Sequence, residues 1–489
     1  MRQGCPLSMG LFILYQEPFY RCIMSSRVVR PLPLPGGRQV KLVGYADDTS
    51  VCVTSMESLI EISRIISDFE LATGSKLNRN NKTKIFGIGN WRNYQQWPIN
   101  WLKTETDYMY TLGIYHGNEY ISTLEKNWST IHEKIQAHIQ ILFRRRLSLH
   151  QRVAYANSCI LSKVWYISHI YPLNGYYATQ INRSIFRYIW GGQYEPIRRT
   201  TICKPKREGG LGLINPQVKS KTLITNSFLK CYSDLDYENA LMIHYCFLKM
   251  NNTIYRNFPF NDAAILNTPY YKSIIQVVDS LYQHPRFPII SNKKIYEQLL
   301  PKNNSLVDEM YPLFSWKKIW NNICDLKIYP FDKEIVYKHA HSVLATNSRL
   351  LRLNIIDSGN CTKCNNDKEQ TAFHIFVECS YIAPFYEWLL GLMLYICNFK
   401  PNSNIRFIYF DNFYQNTYQQ KLVNISVAMY ICTVWRHRKE NIRIAILKKQ
   451  LIKAIIECID FKVTVTKKSG EYLFGPYNSK LTAEVLHRF

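Results

Sequence analysis

The chain of 489 residues has few acidic residues and no long apolar run. It carries 36 acidic against 61 basic side chains, a formal net charge of +25. So large an excess indicates a polyanionic partner, and it favours nucleic acid over an anionic membrane surface. No apolar stretch reaches the roughly 18 residues of a membrane-spanning helix, and the N-terminal residues lack the pattern of a secretory signal. The sequence also contains neither internal repeats nor a long low-complexity tract.

The composition is that of a folded protein of several domains. The hydrophobic content of 47% is sufficient for buried cores, and a length prior of about 150 residues per domain suggests roughly three domains. The 14 cysteines are scattered along the chain. This distribution favours an intracellular, reducing compartment with free thiols and a metal site over a disulfide framework.

Periodicity predicts an α+β first part and a helical remainder, so that the fold class is α+β and predominantly α-helical. In the first part we expect a helix over 9–24 with Pro18 inside it, a helix over 56–73 that ends at Gly74, and short strands near 85–88 and 110–115. The later helices are expected over 123–146, 148–170, 177–190, 382–400 and 418–460. Residues 216–340 are expected to be mostly helical and carry no recognisable motif.

Two adjacent carboxylates, Asp47 and Asp48, stand between short apolar runs at 40–43 and 51–53. Runs of this size that are rich in β-branched residues predict a β-hairpin with the carboxylates at its tip. Mg²⁺ takes one or two carboxylates together with phosphate oxygens, as nucleotidyl transfer requires, and a nearby lysine such as Lys82 or Lys84 would neutralise phosphate charge. Aspartate is also a common turn residue, so the pair alone leaves an ordinary turn as the alternative.

Two groups of basic residues are candidates for phosphate contact. One closes the helix predicted over 123–146, and the other lies in a loop over 196–210. Their members are Arg144, Arg145, Arg146, Arg198, Arg199, Lys204, Lys206 and Arg207. A solvated surface loop is the alternative for the second group, and the charge of the whole chain favours phosphate contact.

The cluster Cys361, Cys364, His374 and Cys379 has the spacing C-x2-C-x9-H-x4-C. Two thiolates on one turn, with a histidine and a third cysteine one helical turn apart, can surround zinc tetrahedrally. Four protein ligands leave no open coordination position, so the pattern predicts a structural rather than a hydrolytic site. Free buried thiols are the alternative.

Four segments, taken in order, resemble consecutive motifs of the reverse transcriptase palm, in the variant found in non-LTR (LINE-type) retrotransposons. They are Arg2-Gln3-Gly4-Cys5-Pro6-Leu7-Ser8, Tyr45-Ala46-Asp47-Asp48, Leu77-Asn78 with Lys82-Thr83, and Tyr110-Thr111-Leu112-Gly113-Ile114. Later segments are also similar to this group: Phe186–Gly192, Pro205–Leu213, the cysteine cluster as a zinc knuckle, and Val434-Trp435-Arg436.

The resemblance implies an RNA-directed DNA polymerase that uses two Mg²⁺ ions, deoxynucleotides, an RNA template and a DNA primer or target. Asp47 and Asp48 would be the metal ligands, and Lys82 the auxiliary lysine. Template and nucleotide would be positioned by Gln3, Gly4, Pro6, Ser8 and Tyr45. The resemblance also implies a nuclear or cytoplasmic ribonucleoprotein location, without a membrane partner.

The implied domain order is a truncated palm over 1–118, a helical thumb with its basic loop over 119–215, and a helical connector over 216–340. A zinc knuckle region over 341–400 and a basic helical tail over 401–489 would follow. In this family the fingers and a strand with another catalytic aspartate precede the segment that begins here at Arg2. We therefore expect a partial metal site and little polymerase activity from this polypeptide alone.

The alternative is a non-catalytic nucleic-acid-binding remnant that keeps the thumb, the basic loops and the zinc knuckle and uses them only to bind. A helical protein with a zinc staple and fortuitous motifs is a third hypothesis.

Overall fold

The computed structural model describes residues 6–33, 39–79, 82–233, 277, 291–301, 305–364 and 367–465. Gln3 and Gly4, together with large parts of the segments 216–340 and 401–489, lie outside the described residues. The described part is mostly helical, with four small two-stranded sheets. No described helix combines the length and the apolar character that a membrane crossing requires.

The helices of the described residues, numbered along the chain, are α1 Pro6–Ser25, α2 Met56–Thr73, α3 Tyr120–Phe143, α4 Leu149–Tyr155, α5 Ser162–Ser168, α6 Gly175–Trp190, α7 Arg199–Cys203, α8 Pro216–Ser233, α9 Asn292–Leu299, α10 Leu306–Met310, α11 Trp316–Asp325, α12 Pro330–Ala340, α13 Asn347–Arg352, α14 Ala383–Cys397, α15 Asn404–Ile408, α16 Thr417–His437 and α17 Ile444–Val465.

The strands of these residues pair as β1 Leu32–Pro33 with β2 Gln39–Val40, β3 Leu42–Tyr45 with β4 Asp48–Val51, β5 Lys84–Phe86 with β6 Lys103–Glu105, and β7 Tyr108–Thr111 with β8 Ile114–Gly117. Three pairs are antiparallel and β5–β6 is parallel. The strand expected near 85–88 is present as β5, and its partner is the parallel strand β6.

The chain divides into two compact units, each assembled from three segments. The first unit comprises Met1–Gln136, Lys163–Ile181 and Pro216–Leu300, and the second comprises Ala137–Ser162, Asn182–Asn215 and Pro301–Phe489. The acidic hairpin lies in the first unit. The cysteine cluster and all eight candidate phosphate-binding residues lie in the second.

Helix α2 shows why the sequence forms the elements around the acidic hairpin. The Ser55 side chain accepts a hydrogen bond from the Ser58 N–H at the N-terminus, and Gly74 ends the helix with a φ of +71°. Leu59 and Ile62 face inward at helical spacing. The predicted helix over 56–73 is thereby confirmed, because an N-cap and a left-handed glycine fix both ends.

The hairpin β3–β4 packs closely against α1 at Gly44. A Cβ at Gly44 would lie 2.5 Å from the Tyr20 hydroxyl oxygen, and this hydroxyl is 3.0 Å from the Thr49 hydroxyl. A small apolar core of α1 and α2 residues, with Ile23 and Ile62 among them, has Leu42 and Val51 of the hairpin packed against it. The predicted hairpin is present, and its glycine and apolar residues determine how it packs against α1.

The second unit is organised around α16. Residues on every side of this helix are buried, among them Val423, Val427 and Ile431. A helix enclosed all round is central to a core. Helices α11, α12, α14 and α17 contribute to the same apolar cluster.

Three predicted elements differ from those in the structure, two of them described here and the third below. The strand expected at 110–115 is instead a hairpin, because Leu112 and Gly113 take positive φ values of +48° and +82° and turn the chain. The helix expected over 148–170 contains a π-helical turn at Ala156–Ile160. Within it the Asn157 amide donates to the Gly212 carbonyl oxygen.

The helix predicted over 418–460 is wrong as a single element, since α16 ends at His437 and α17 begins at Ile444. The intervening chain is held elsewhere: the Tyr381 hydroxyl donates to the Ile442 carbonyl oxygen, and Lys363 donates to the Asn441 side chain. These contacts replace the helical hydrogen bonds that would have continued α16.

Candidate metal centre and basic surface

The four predicted zinc ligands converge on one point in the second unit. The Sγ atoms of Cys361, Cys364 and Cys379 and a ring nitrogen of His374 all lie within 4.8 Å of one another. Cys361 Sγ is 3.9 Å from Cys379 Sγ, and Cys364 Sγ is 3.3 Å from His374 Nε2. Three members are buried and Cys361 is partly buried.

These distances fit a tetrahedral zinc ion. With Zn–S bonds of about 2.3 Å and Zn–N bonds of about 2.0–2.1 Å, two sulfur ligands stand roughly 3.8 Å apart and a sulfur and a nitrogen roughly 3.5 Å apart. The observed pairs are close to both values. The cluster is therefore suited to hold one structural Zn²⁺ through four protein ligands.

Local backbone structure brings the ligands together. A short antiparallel bridge between Asn360 and Glu369 sets the first turn, and the Cys361 N–H donates to the Lys368 carbonyl oxygen. His374 begins a π-helical turn, and the Cys379 N–H donates to the carbonyl oxygen of His374 at 2.8 Å. The wider π turn accounts for the five-residue separation of these two ligands.

Electrostatics within the cluster favour a cation. Burial by itself raises the pKa of the Cys361 thiol, but hydrogen bonds from the backbone N–H groups of Lys363 and Cys364 and from the side chains of His374 and Gln370 together lower that pKa to about 6. Burial raises the pKa of Cys379 to about 12, with a contribution from the neighbouring Cys361. Two thiolates at this separation repel each other, and a bound dication removes that repulsion.

The outer nitrogen of His374 is a feature that the spacing of the cysteines did not reveal. His374 Nδ1 is buried and has no hydrogen-bond partner among the described residues, and the Glu378 carboxylate stands 3.8 Å away. Metal-bound histidines commonly direct their second nitrogen toward a carboxylate, which holds the ring. The signal in the sequence was a glutamate four residues after the histidine.

Two of the candidate phosphate-binding residues contact helices α12 and α11 of the second unit. The Arg146 guanidinium lies 5.8 Å from the centre of the Phe331 ring at the start of α12. Arg207 donates to Asn321 and pairs with Asp325 at 3.3 Å on α11. Arg144, Arg145 and Arg146 are all exposed. The exposed residues Arg144–Arg146, Lys206 and Arg207 are together called the basic surface below.

Two partly buried side chains near Lys206 have lowered pKa values. Burial is the main cause of the lowered pKa of Lys333, and Lys327 and Lys206 lower it further. His150 has its pKa lowered to about 4 by burial and then by Lys333 and Lys206. Lys333 is structural, since it donates to the carbonyl oxygens of Cys324 and Leu326.

The segment 196–210 is not the open loop that the sequence predicts. It contains α7 and a 3₁₀ turn at Lys206–Glu208, and the buried Gly209 carbonyl oxygen accepts hydrogen bonds from the Tyr337 hydroxyl and His341 Nε2. Arg199 donates hydrogen bonds to Glu195 and lies over the Phe186 ring, so its side chain is part of the internal packing. Arg198 is exposed and Lys204 is partly exposed.

The acidic hairpin presents Asp47 and Asp48 to solvent. Its register pairs Tyr45 with Asp48, so Ala46 and Asp47 form the turn, and Ala46 takes a φ of +52°. Asp47, Asp48, Tyr45 and Lys82 are exposed, and Pro6 and Ser8 lie in the first turns of α1. Among the described residues, the one group of three or more side chains arranged to hold a metal is the Cys/His cluster. The magnesium assignment therefore stays a prediction.

Comparison with known proteins supports the zinc assignment. Residues 291–385, which include all four ligands, match the family described as zinc-binding in reverse transcriptase. The chain is also 24% identical over 220 residues to the Transposon TX1 uncharacterized 149 kDa protein of Xenopus laevis. That match covers 44% of this chain and 16% of the relative's length. The C-terminal region of this chain is therefore related to reverse transcriptases, and residues 291–385 are similar to their zinc-binding region.

Proposed function

We propose that this chain binds RNA or DNA through a zinc-stabilised helical unit and acts in reverse transcription by a non-LTR-type mobile element. The observation that carries the proposal is the four-ligand Cys/His cluster in the same unit as the basic surface. The zinc would hold the fold rigid, and the arginines and lysines would contact phosphates.

The charge of the chain supports this proposal. Each phosphate that an arginine or lysine neutralises releases counterions, which makes affinity fall steeply with salt. Arginine also forms paired hydrogen bonds with phosphate oxygens. The three consecutive exposed arginines at 144–146 can therefore both neutralise phosphates and form such paired hydrogen bonds.

The test is the salt dependence of binding for the zinc-loaded chain and for a triple variant, Arg144→Ala with Arg145→Ala and Arg146→Ala. Fluorescence anisotropy with a labelled duplex and a labelled single strand gives the affinity at several salt concentrations. We expect the variant to bind every sequence more weakly. Its log–log slope should become shallower by about 0.7–0.9 for each phosphate that is no longer neutralised.

A charge-matched control removes Lys421, Lys449 and Lys453, which are exposed on α16 and α17. The control has the same net charge as the triple arginine variant, so a smaller effect shows that the position of the arginines matters. Equal effects of the two triple variants would reduce the claim to non-specific charge. Absence of binding by the unaltered chain would reject the proposal.

A second candidate function is nucleotidyl transfer with Mg²⁺ at the acidic hairpin. The observation that favours it is the hairpin register, which presents Asp47 and Asp48 at an exposed tip. Mg²⁺ there would stabilise the oxygens of an in-line displacement on phosphate. Primer extension on an RNA template that Asp47→Asn with Asp48→Asn abolishes would support this activity, whereas extension that survives the double change would contradict it.

A further inference from the structure

A cavity of about 240 Å³ opens in the second unit between the end of α14 and the start of α16. It contains neither the zinc ligands nor the basic surface. A single water needs roughly 10–15 Å³ of such volume, so the space admits a much larger group. The lining residues that matter are Phe399, Lys400, Asn402, Arg406, Asn412 and Phe413.

The charged wall of the cavity is held in place. Arg406 Nη1 donates to the buried Asp411 carboxylate at 3.0 Å, and Nη2 donates to the Leu313 carbonyl oxygen at 3.0 Å. Asp411 neutralises one charge, and the exposed Lys400 adds another. The cavity therefore combines a positioned guanidinium with an exposed ammonium, which suits a phosphate group.

Phe413 gives the cavity an aromatic rim. Its exposed fraction is 74%, so most of the ring faces solvent. The Lys318 ammonium lies 4.7 Å from the ring centre, and the same lysine donates to the Asn412 carbonyl oxygen. The Lys318 ammonium therefore makes a cation–π contact with one side of the ring, and the exposed remainder of the ring is available for stacking.

The backbone that carries this rim is strained. Phe410 is fully buried and takes a φ of +63°, a conformation that bulky side chains rarely adopt. It turns the chain so that Asp411, Asn412 and Phe413 line the cavity. Strain of this kind persists where the surrounding structure fixes it, and it is concentrated at ligand sites.

We propose that the cavity binds one unpaired nucleotide of a single-stranded nucleic acid. The base stacks on Phe413, the phosphate lies against Lys400 and Arg406, and the exposed amide of Asn402 meets the polar edge of the base or the sugar. Aromatic stacking of this type is tolerant of sequence. The site rests on the proposed nucleic-acid binding and adds a single-strand-specific subsite to it.

The experiment compares two labelled RNA 12-mers, one of uridines and one abasic throughout, with the zinc-loaded full chain and its variants. Phe413→Ala should weaken binding of the uridine strand by about tenfold, the order expected for one stacked base. It should leave binding of the abasic strand unchanged. Phe413→Trp should restore the affinity, and its fluorescence should be quenched by the uridine strand.

A matched control is Ile355→Ala, which removes another exposed apolar side chain of the same unit and should leave both affinities unchanged. Failure of the unaltered chain to bind either strand would reject the proposed function itself. Binding by the unaltered chain with no effect of Phe413→Ala, or an equal weakening on both strands, would overturn this site alone.

Discussion

At the scale of single residues, the two ring nitrogens of His374 have different surroundings. Nε2 faces the Cys364 sulfur, whereas Nδ1 is buried near the Glu378 carboxylate. When zinc occupies Nε2, the remaining N–H needs an acceptor in a region that excludes water. Glu378 is the side chain that the structure offers.

We therefore expect Glu378→Ala to weaken zinc binding by about 10–100-fold, the usual effect of removing such a carboxylate. Glu378→Gln should cost less, because its amide oxygen still accepts a hydrogen bond. Competition with a chromophoric chelator measures the affinity. Glu387→Ala, at an exposed position on α14, serves as the control. Equal zinc affinities for Glu378→Ala and the control would show that Glu378 does not position the ligand.

Two buried histidines predict how stability depends on pH. Burial lowers the pKa of His339 and of His341 to about 4, while an unfolded histidine titrates near 6.5. Between these values the unfolded chain binds more protons, so the free energy of unfolding falls as the pH drops from about 6.5 to about 4. Each histidine contributes a slope of about 1.4 kcal/mol per pH unit in this window.

Denaturant unfolding at several pH values, with zinc in excess, checks this slope. In the variant His339→Gln with His341→Gln the side chains do not titrate, and the amides can still donate to the Ile408 and Gly209 carbonyl oxygens. Its slope should be smaller, whatever its absolute stability. Parallel curves for the variant and the unaltered chain would contradict the assignment.

At the scale of elements, the glycine turn after α7 sets how the basic segment packs. A Cβ at Gly210 would lie 1.9 Å from the Lys204 carbonyl oxygen, a backbone atom that cannot move aside. Gly209 has a φ of +81°, and a Cβ there would meet the Trp320 ring. The turn therefore tolerates no side chain at either position.

Gly210→Ala should lower the free energy of unfolding by about 1–3 kcal/mol or more, as overpacking does. It should also displace Lys206 and Arg207, and so weaken nucleic-acid binding. Gly192→Ala is the matched control, because a Cβ there meets nothing within 4 Å. Thermal unfolding and anisotropy on both variants give the comparison. An unaltered stability for Gly210→Ala would refute the packing argument.

Local signals predicted some elements well and others poorly. Helix α2 follows from its own caps, Ser55 and Gly74, and the hairpin follows from its β-branched runs. The end of α16 depends on Tyr381 and Lys363, which lie far away in the sequence. Periodicity alone therefore predicts a single helix that continues past this end. A turn at Leu112–Gly113 lacks the usual Asn-Gly signal and was missed for that reason.

The residues of the candidate site also divide into those that local sequence predicts and those that depend on distant contacts. The four zinc ligands are readable because their spacing is itself the chemical requirement. Arg199 and Arg207 look equivalent in the sequence, yet their carboxylate partners differ: Glu195 is four residues from Arg199, whereas Asp325 lies more than a hundred residues from Arg207. The cavity at Phe413 is lined by α15 and the loops on either side of it, and its backbone is strained at Phe410. No sequence motif in this stretch predicts a cavity.

At the scale of the whole molecule, we expect the arrangement of the basic surface to depend on the zinc centre. The zinc centre shares one apolar cluster with α11 and α12, which carry the contacts of Arg207 and Arg146. Removal of the metal leaves buried thiols and an unpaired histidine in that core, which destabilises the whole unit. The basic surface should therefore lose its arrangement together with the zinc.

The most direct test is the salt dependence of nucleic-acid affinity, measured with and without the metal. We predict one zinc per chain and a log–log slope steeper than about −3, corresponding to at least roughly three phosphates. In Cys364→Ser with Cys379→Ser, both the bound zinc and the steep slope should disappear. A chain without bound zinc, or a zinc-free variant with the same affinity and slope, would contradict the account.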